Sequence, residues 1–131
     1  MNKPFTFGGR IGSVEHAVRG IVAMVKSQPN ARIHAAATIM VSLLGLTCGF
    51  ARWEWCWIVS AVAAVWAAEA FNSDLELLAD VSSSHHQPMI GTAKDMAAGA
   101  VLICAIGSVV IGLLMIGPYI VTFFEKHWES P

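Results

Sequence analysis

Charge is scarce in this sequence. Asp, Glu, Lys and Arg make up 13% of its 131 residues, against roughly 25% in a soluble domain. The net charge is −1, which removes the electrostatic case for nucleic-acid binding. Cysteine is also sparse. Cys48, Cys56 and Cys104 sit in or beside apolar runs at no metal-ligand spacing. They imply neither a disulfide framework nor a thiolate metal site, and read as small buried hydrophobes. A GxxxxGK[ST] loop is missing, as is a kinase-type glycine-rich loop, so the familiar soluble nucleotide folds are excluded. The opening MNKPFTFGGR has no apolar h-region, and no cleavable signal peptide is expected.

What the chain has instead is long uncharged runs. With 56% hydrophobic residues and a length that suits one domain, it reads as an all-α integral membrane protein. Residues 31–51, 55–80 and 93–123 are the three expected membrane helices, each long enough for a ~30 Å hydrocarbon core. Ala35, Ala36, Ala37, Ser42 and Gly45 in the first suit close helix contact. Trp53, Trp55 and Trp57 cluster at the turn between the first two, as interfacial anchors do, and Tyr119 and Trp128 serve the far end of the third. Pro118 is expected to interrupt that helix near its end.

Residues 12–28 differ. Val14, Ala17, Val18, Ile21, Val22 and Val25 recur at helical spacing, with Glu15, His16, Arg19 and Lys26 opposite. This predicts an amphipathic helix on the membrane surface, capped by Ser13, after a flexible lead-in over residues 1–11. Pro29 disfavours helical geometry at Gln28 and closes it. Residues 81–92 read as a polar loop, and Thr92-x-x-Asp95 matches a capping box opening the third membrane helix.

Lys3, Arg10, Arg19, Lys26 and Arg32, five of the eight basic residues, precede the first apolar run. That bias places the N-terminus in the cytoplasm. With three spans, the 69–80 segment and the 81–92 loop are cytoplasmic too.

The 69–80 segment, EAFNSDLELLAD, carries the chemistry. At about 100° per residue Glu69, Asn72, Glu76 and Asp80 share one helix face, while Asp74 lies elsewhere. Carboxylates at membrane depth are costly and persist where they face protein, water or a ligand. A polyanionic stripe at the boundary suits a divalent cation and the phosphates it carries. Lys94 and Asp95 follow a short loop later, and a lysine near a helix N-terminus suits phosphate. Together these are the parts of phosphoryl transfer. Taken singly, Asp80 also reads as a solvated helix end, Asp95 as a capping acid, Lys94 as a headgroup anchor, and His34 as a boundary histidine bonded to a neighbouring helix.

E-x-x-N-x-x-x-E-x-x-x-D at Glu69–Asp80, followed by AKDMAAGAVL at Ala93–Leu102, resembles the prokaryotic diacylglycerol kinase family, which includes undecaprenol kinases. AVRG at Ala17–Gly20 and NARIH at Asn30–His34 resemble family segments too. The resemblance implies a homotrimer with active sites between subunits at the cytoplasmic face of the bacterial inner membrane. It implies an ATP-dependent, Mg²⁺-dependent kinase acting on a lipid alcohol, diacylglycerol or undecaprenol. By position, Glu69 would be the general base that meets the lipid hydroxyl, with Arg32 also on the lipid. Glu76 would bind the metal. Asn72, Asp80, Lys94, Asp95, His16, His86 and Gln87 would serve the nucleotide. Two positions depart from the pattern. Gln28 stands where the family commonly has a second metal-binding glutamate, and offers an oxygen without its charge. Gln87 stands where a histidine is expected before Pro88, with His86 one place earlier. Two other classes remain open on the residues alone: a small cation carrier using Glu69, and a membrane scaffold weakened at Gln28.

Overall fold

A computed structural model describes residues 7–82 and 87–128. It is all-helical: α1 (Phe7–Ser27), α2 (Pro29–Cys48), α3 (Arg52–Ser82) and α4 (Pro88–Trp128). By length and composition α2, α3 and α4 can each cross a membrane. At 1.5 Å per residue they run about 30, 46 and 62 Å, so α3 and α4 overshoot the hydrocarbon core.

Helix α3 is the centre. Its buried residues Glu54, Ile58, Ala61, Val65, Glu69 and Asn72 recur every three or four positions and form a stripe, with Ser73 beside it and Ala79 two turns beyond Asn72. Helices α2 and α4 pack against it as antiparallel neighbours, with α4 making the larger contact. Polar rungs fix both registers. Toward α4 they are Asp80–Lys94, the Ala61 carbonyl with Ser108 Oγ at 3.2 Å, and Glu54 with Tyr119. Toward α2 they are Glu76–Gln28, Glu69–His34 and Trp66 Nε1 donating to Thr38 Oγ1 at 3.1 Å. The outer faces carry Leu43, Leu46, Ile103 and Leu113, all more than half exposed, which suits lipid rather than water.

The helix starts differ from the sequence expectation in three places. Helix α1 begins at Phe7, inside the expected lead-in, and Ser13 lies within it. Between α1 and α2 the break is a single residue. Gln28 is extended (φ −100°, ψ 120°), as a residue before proline prefers. Helix α4 begins at Pro88, five residues before the expected start. Proline is pre-organised for the first helical position, and the Gln87 carbonyl accepts from the Ile90 and Gly91 N–H groups. The expected capping box is therefore not formed. Thr92 Oγ1 instead donates to the Pro88 carbonyl.

The far end of the hairpin is tightly built. Gly49 takes the left-handed conformation (φ 72°) and Phe50 N–H donates to the Gly45 carbonyl at 3.0 Å, a Schellman termination of α2. A Cβ on Gly45 would lie 2.9 Å from both the Phe50 and Trp55 rings, so only glycine allows this approach. Glu54 sits in the first turn of α3 with 6% exposure. It accepts from Ala51 N–H at 2.7 Å and Tyr119 O–H at 2.8 Å. This is the glutamate half of a capping box, without a hydroxyl residue at the cap. Tyr119 is thus a partner of a buried acid rather than a free interfacial anchor. Pro118 does not end α4, which continues to Trp128. Proline is tolerated in membrane helices where neighbours and local adjustment satisfy the freed carbonyl.

Candidate active site

The stripe on α3 is graded. Glu69 is 1% exposed and Asn72 4%, Glu76 is half-buried, and the Asp80 side chain is 70% exposed. One helix face therefore runs from the protein interior to open surface within three turns.

Glu76 is the meeting point of three elements. Gln28, at the elbow between α1 and α2, donates Nε2 to Glu76 Oε2 at 3.1 Å, and Asn72 Nδ2 lies 3.3 Å from Oε1. Asn72 Oδ1 is buried with no hydrogen-bond partner. An orphaned amide oxygen beside a carboxylate is costly unless something positive claims it. Among the described residues no three His, Cys, Asp or Glu side chains converge. The donors here are oxygens of one carboxylate and two amides, a set that suits a hard cation keeping several waters of its own.

Glu69 lies deeper. Its Oε2 is 3.9 Å from His34 Nε2, and both atoms are buried without a hydrogen-bond partner. Thr38, one turn along α2 from His34, accepts the Trp66 N–H and donates to the His34 carbonyl at 2.7 Å. Ser73 Oγ is a further buried orphan on the same stretch of α3. Neither His34 nor Ser73 was singled out by the sequence pattern. His34 showed only as a boundary residue. Its partner became visible once the α2–α3 register was known.

The structure does not gather every expected site residue. Asp80 turns to α4 and pairs with Lys94 at 3.1 Å. Lys94 lies in the second turn of α4, with exposed Asp95 beside it, so the free N–H groups of that helix end lie further back than expected. Arg32 Nε and Nη2 donate to the carbonyls of Val25 and Lys26 at 3.1 and 2.6 Å. It thereby satisfies the end of α1 and ties it to α2. His16 is exposed in the middle of α1, about 18 Å along the helix from Gln28. Gln87 is exposed before α4, and His86 lies outside the described residues. An apolar groove of about 820 Å³ between α2 and α4 at the Tyr119 end, lined by Leu44, Ile116, Ile120 and Phe123 among others, contains none of these groups.

Three apolar helices, the middle one antiparallel to the other two, with the buried Glu69 beside an oxygen set that suits a hard cation, make an arrangement that phosphoryl transfer at a membrane could use. Residues 15–116 match the family described as prokaryotic diacylglycerol kinase. The chain belongs to that family, and it is a lipid kinase. It is 35% identical over 106 residues to the undecaprenol kinase of Bacillus subtilis (strain 168), covering 81% of this chain and 86% of that one.

Proposed function

We propose that this protein transfers the γ-phosphoryl group of ATP to the hydroxyl of a membrane lipid alcohol, undecaprenol ahead of diacylglycerol, at the cytoplasmic face of the inner membrane. The observation that carries this reading is the gradient on α3. It sets a sealed carboxylate, Glu69, next to the buried Asn72 and the half-buried Gln28 and Glu76. Glu69 accepts the hydroxyl proton as the oxygen attacks phosphorus, work that a positioned base does when it sits in reach of the proton. Glu76, with the amide oxygens of Gln28 and Asn72, would hold Mg²⁺, which draws charge off the phosphates. Lys94 neutralises phosphate oxygens once released from Asp80, and Asp95 and Gln87 flank the nucleotide.

Undecaprenol leads because the Bacillus relative acts on it. The exposed Ile11, Val14, Val18, Ile21 and Val22 of α1 support its lying in the membrane surface, with Arg19 and Glu15 paired above. A trimer with sites between subunits brings His16 and Arg32 to the nucleotide and lipid of a neighbouring site. Family membership favours this reading over the cation-carrier and scaffold readings.

The test is transfer of labelled γ-phosphate from ATP to undecaprenol and to diacylglycerol in liposomes over a Mg²⁺ series. Product on undecaprenol above diacylglycerol, dependent on Mg²⁺, is expected. No product on either lipid at any Mg²⁺ level sinks the proposal.

A further inference from the structure

Glu69 has a problem that its role as a base does not solve. At 1% exposure it has almost no surface through which to return a proton to water. A base that stays protonated after one turnover cannot act in the next. Within ion-pair distance of it lies His34, 3.9 Å away. The His34 side chain is 16% exposed, yet its Nε2 is buried. The exposed part of the side chain therefore lies away from Nε2, the ring nitrogen that faces the acid.

We propose that His34 is the proton exit of the site, relaying to solvent the proton that Glu69 takes from the acceptor. This rests on the kinase reading above. The alcohol O–H proton passes to Glu69 Oε2 as the new O–P bond forms. The bond from the γ-phosphorus to its bridging oxygen breaks, and that electron pair leaves with ADP. The proton then moves from Glu69 Oε2 to His34 Nε2, and the imidazolium releases its Nδ1 proton to water. One proton appears in solvent for each phosphate transferred.

A shift of roughly 1 Å brings the two atoms to hydrogen-bond distance. The frame around them favours that approach. Trp66 and Thr38 join α2 to α3 one turn deeper, and the Thr38 hydroxyl holds the His34 carbonyl. Histidine suits a relay because its two nitrogens can gain and lose a proton near neutral pH. The nearby charged groups are otherwise engaged. Glu76 binds Gln28 and Asn72, and Arg32 binds the α1 carbonyls. His34 acts through Glu69, so it is a positioning and relay residue rather than a catalytic one.

The relay is needed only to reset Glu69, which gives it a kinetic signature. In rapid-quench experiments with full-length protein in liposomes, His34→Gln should complete its first turnover within about twofold of the wild-type rate. Its steady state should fall about tenfold or more, a smaller effect than the about 10²–10⁴-fold of the group that takes the proton in the transition state. In His34→Ala, added imidazole should restore the steady state. First and later turnovers slowed together would make His34 structural and overturn the proposal, as would an unchanged steady state in His34→Gln. Should His34→Ala fail to fold, as read by its melting temperature, His34→Gln alone decides between these outcomes. Should His34→Gln fail to fold, a wild-type steady state that stays level when water is replaced by D₂O overturns the relay, and one that slows while the first turnover does not supports it. A wild-type protein that phosphorylates no alcohol at all fails the kinase reading itself, which is a different result.

Discussion

Helix α3 buries two glutamates, Glu54 in its first turn and Glu69 near its middle, and the two are treated differently. Glu54 receives a backbone N–H and a tyrosine hydroxyl, under the Phe50 and Tyr119 rings, whose centroids are 5.3 Å apart. Glu69 has His34 at 3.9 Å and an unsatisfied oxygen, with orphaned atoms on His34, Asn72 and Ser73 around it. A satisfied buried acid fixes a fold. An unsatisfied one is kept where another molecule completes it, because the cost of leaving it open is otherwise hard to justify. The contrast separates the end that holds the hairpin together from the region proposed to act on substrate.

Substitutions can break this contrast or sharpen it. Glu69→Gln keeps shape and removes the base. Lipid phosphorylation should fall by about 10²–10⁴ while the melting temperature in detergent holds or rises. A large loss of stability instead would place Glu69 with Glu54 as a structural group. Next in size, Glu76→Gln takes the only carboxylate from the metal-suited cluster. The Mg²⁺ needed for half-maximal rate should increase by about 10-fold or more. Gln28→Glu should shift that midpoint the other way, and a midpoint unmoved by either change would remove the metal from this cluster. At the other end, Glu54→Ala orphans the Ala51 N–H and the Tyr119 hydroxyl, a loss of about 1–3 kcal/mol of stability, with transfer by the folded fraction intact. Gly45→Ala, which forces the Phe50 and Trp55 rings to give way, should lower the melting temperature by a smaller amount and leave the Mg²⁺ midpoint alone.

Much of this was legible in the sequence, for identifiable reasons. Uncharged runs and the Pro29 break follow from hydropathy and local backbone sterics, and the α2–α3 turn was visible in the cluster of Trp53, Trp55 and Trp57. The stripe of Glu69, Asn72, Glu76 and Asp80 follows from helical period alone. Period says nothing of what stands opposite. The splitting of the stripe, with Glu76 facing Gln28 and Asp80 facing Lys94, depends on register between helices, as do the His34–Glu69 and Tyr119–Glu54 pairs. Thr92-x-x-Asp95 was a valid capping pattern that lost to the stronger local preference of Pro88. The bonds of Arg32 to the carbonyls at the end of α1 depend likewise on how α1 and α2 meet, which helical period does not reveal.

The gradient along α3, from 1% exposure at Glu69 to 70% at Asp80, also sets the units in which such an enzyme senses its substrates. A nucleotide reaching the open end is counted per volume of water. A lipid reaching the sealed end is counted per area of bilayer, as a mole fraction among other lipids. Diluting the vesicles in buffer leaves that second quantity untouched, whereas adding inert phospholipid lowers it. Turnover should accordingly follow the composition of the membrane rather than the total amount of lipid in the tube.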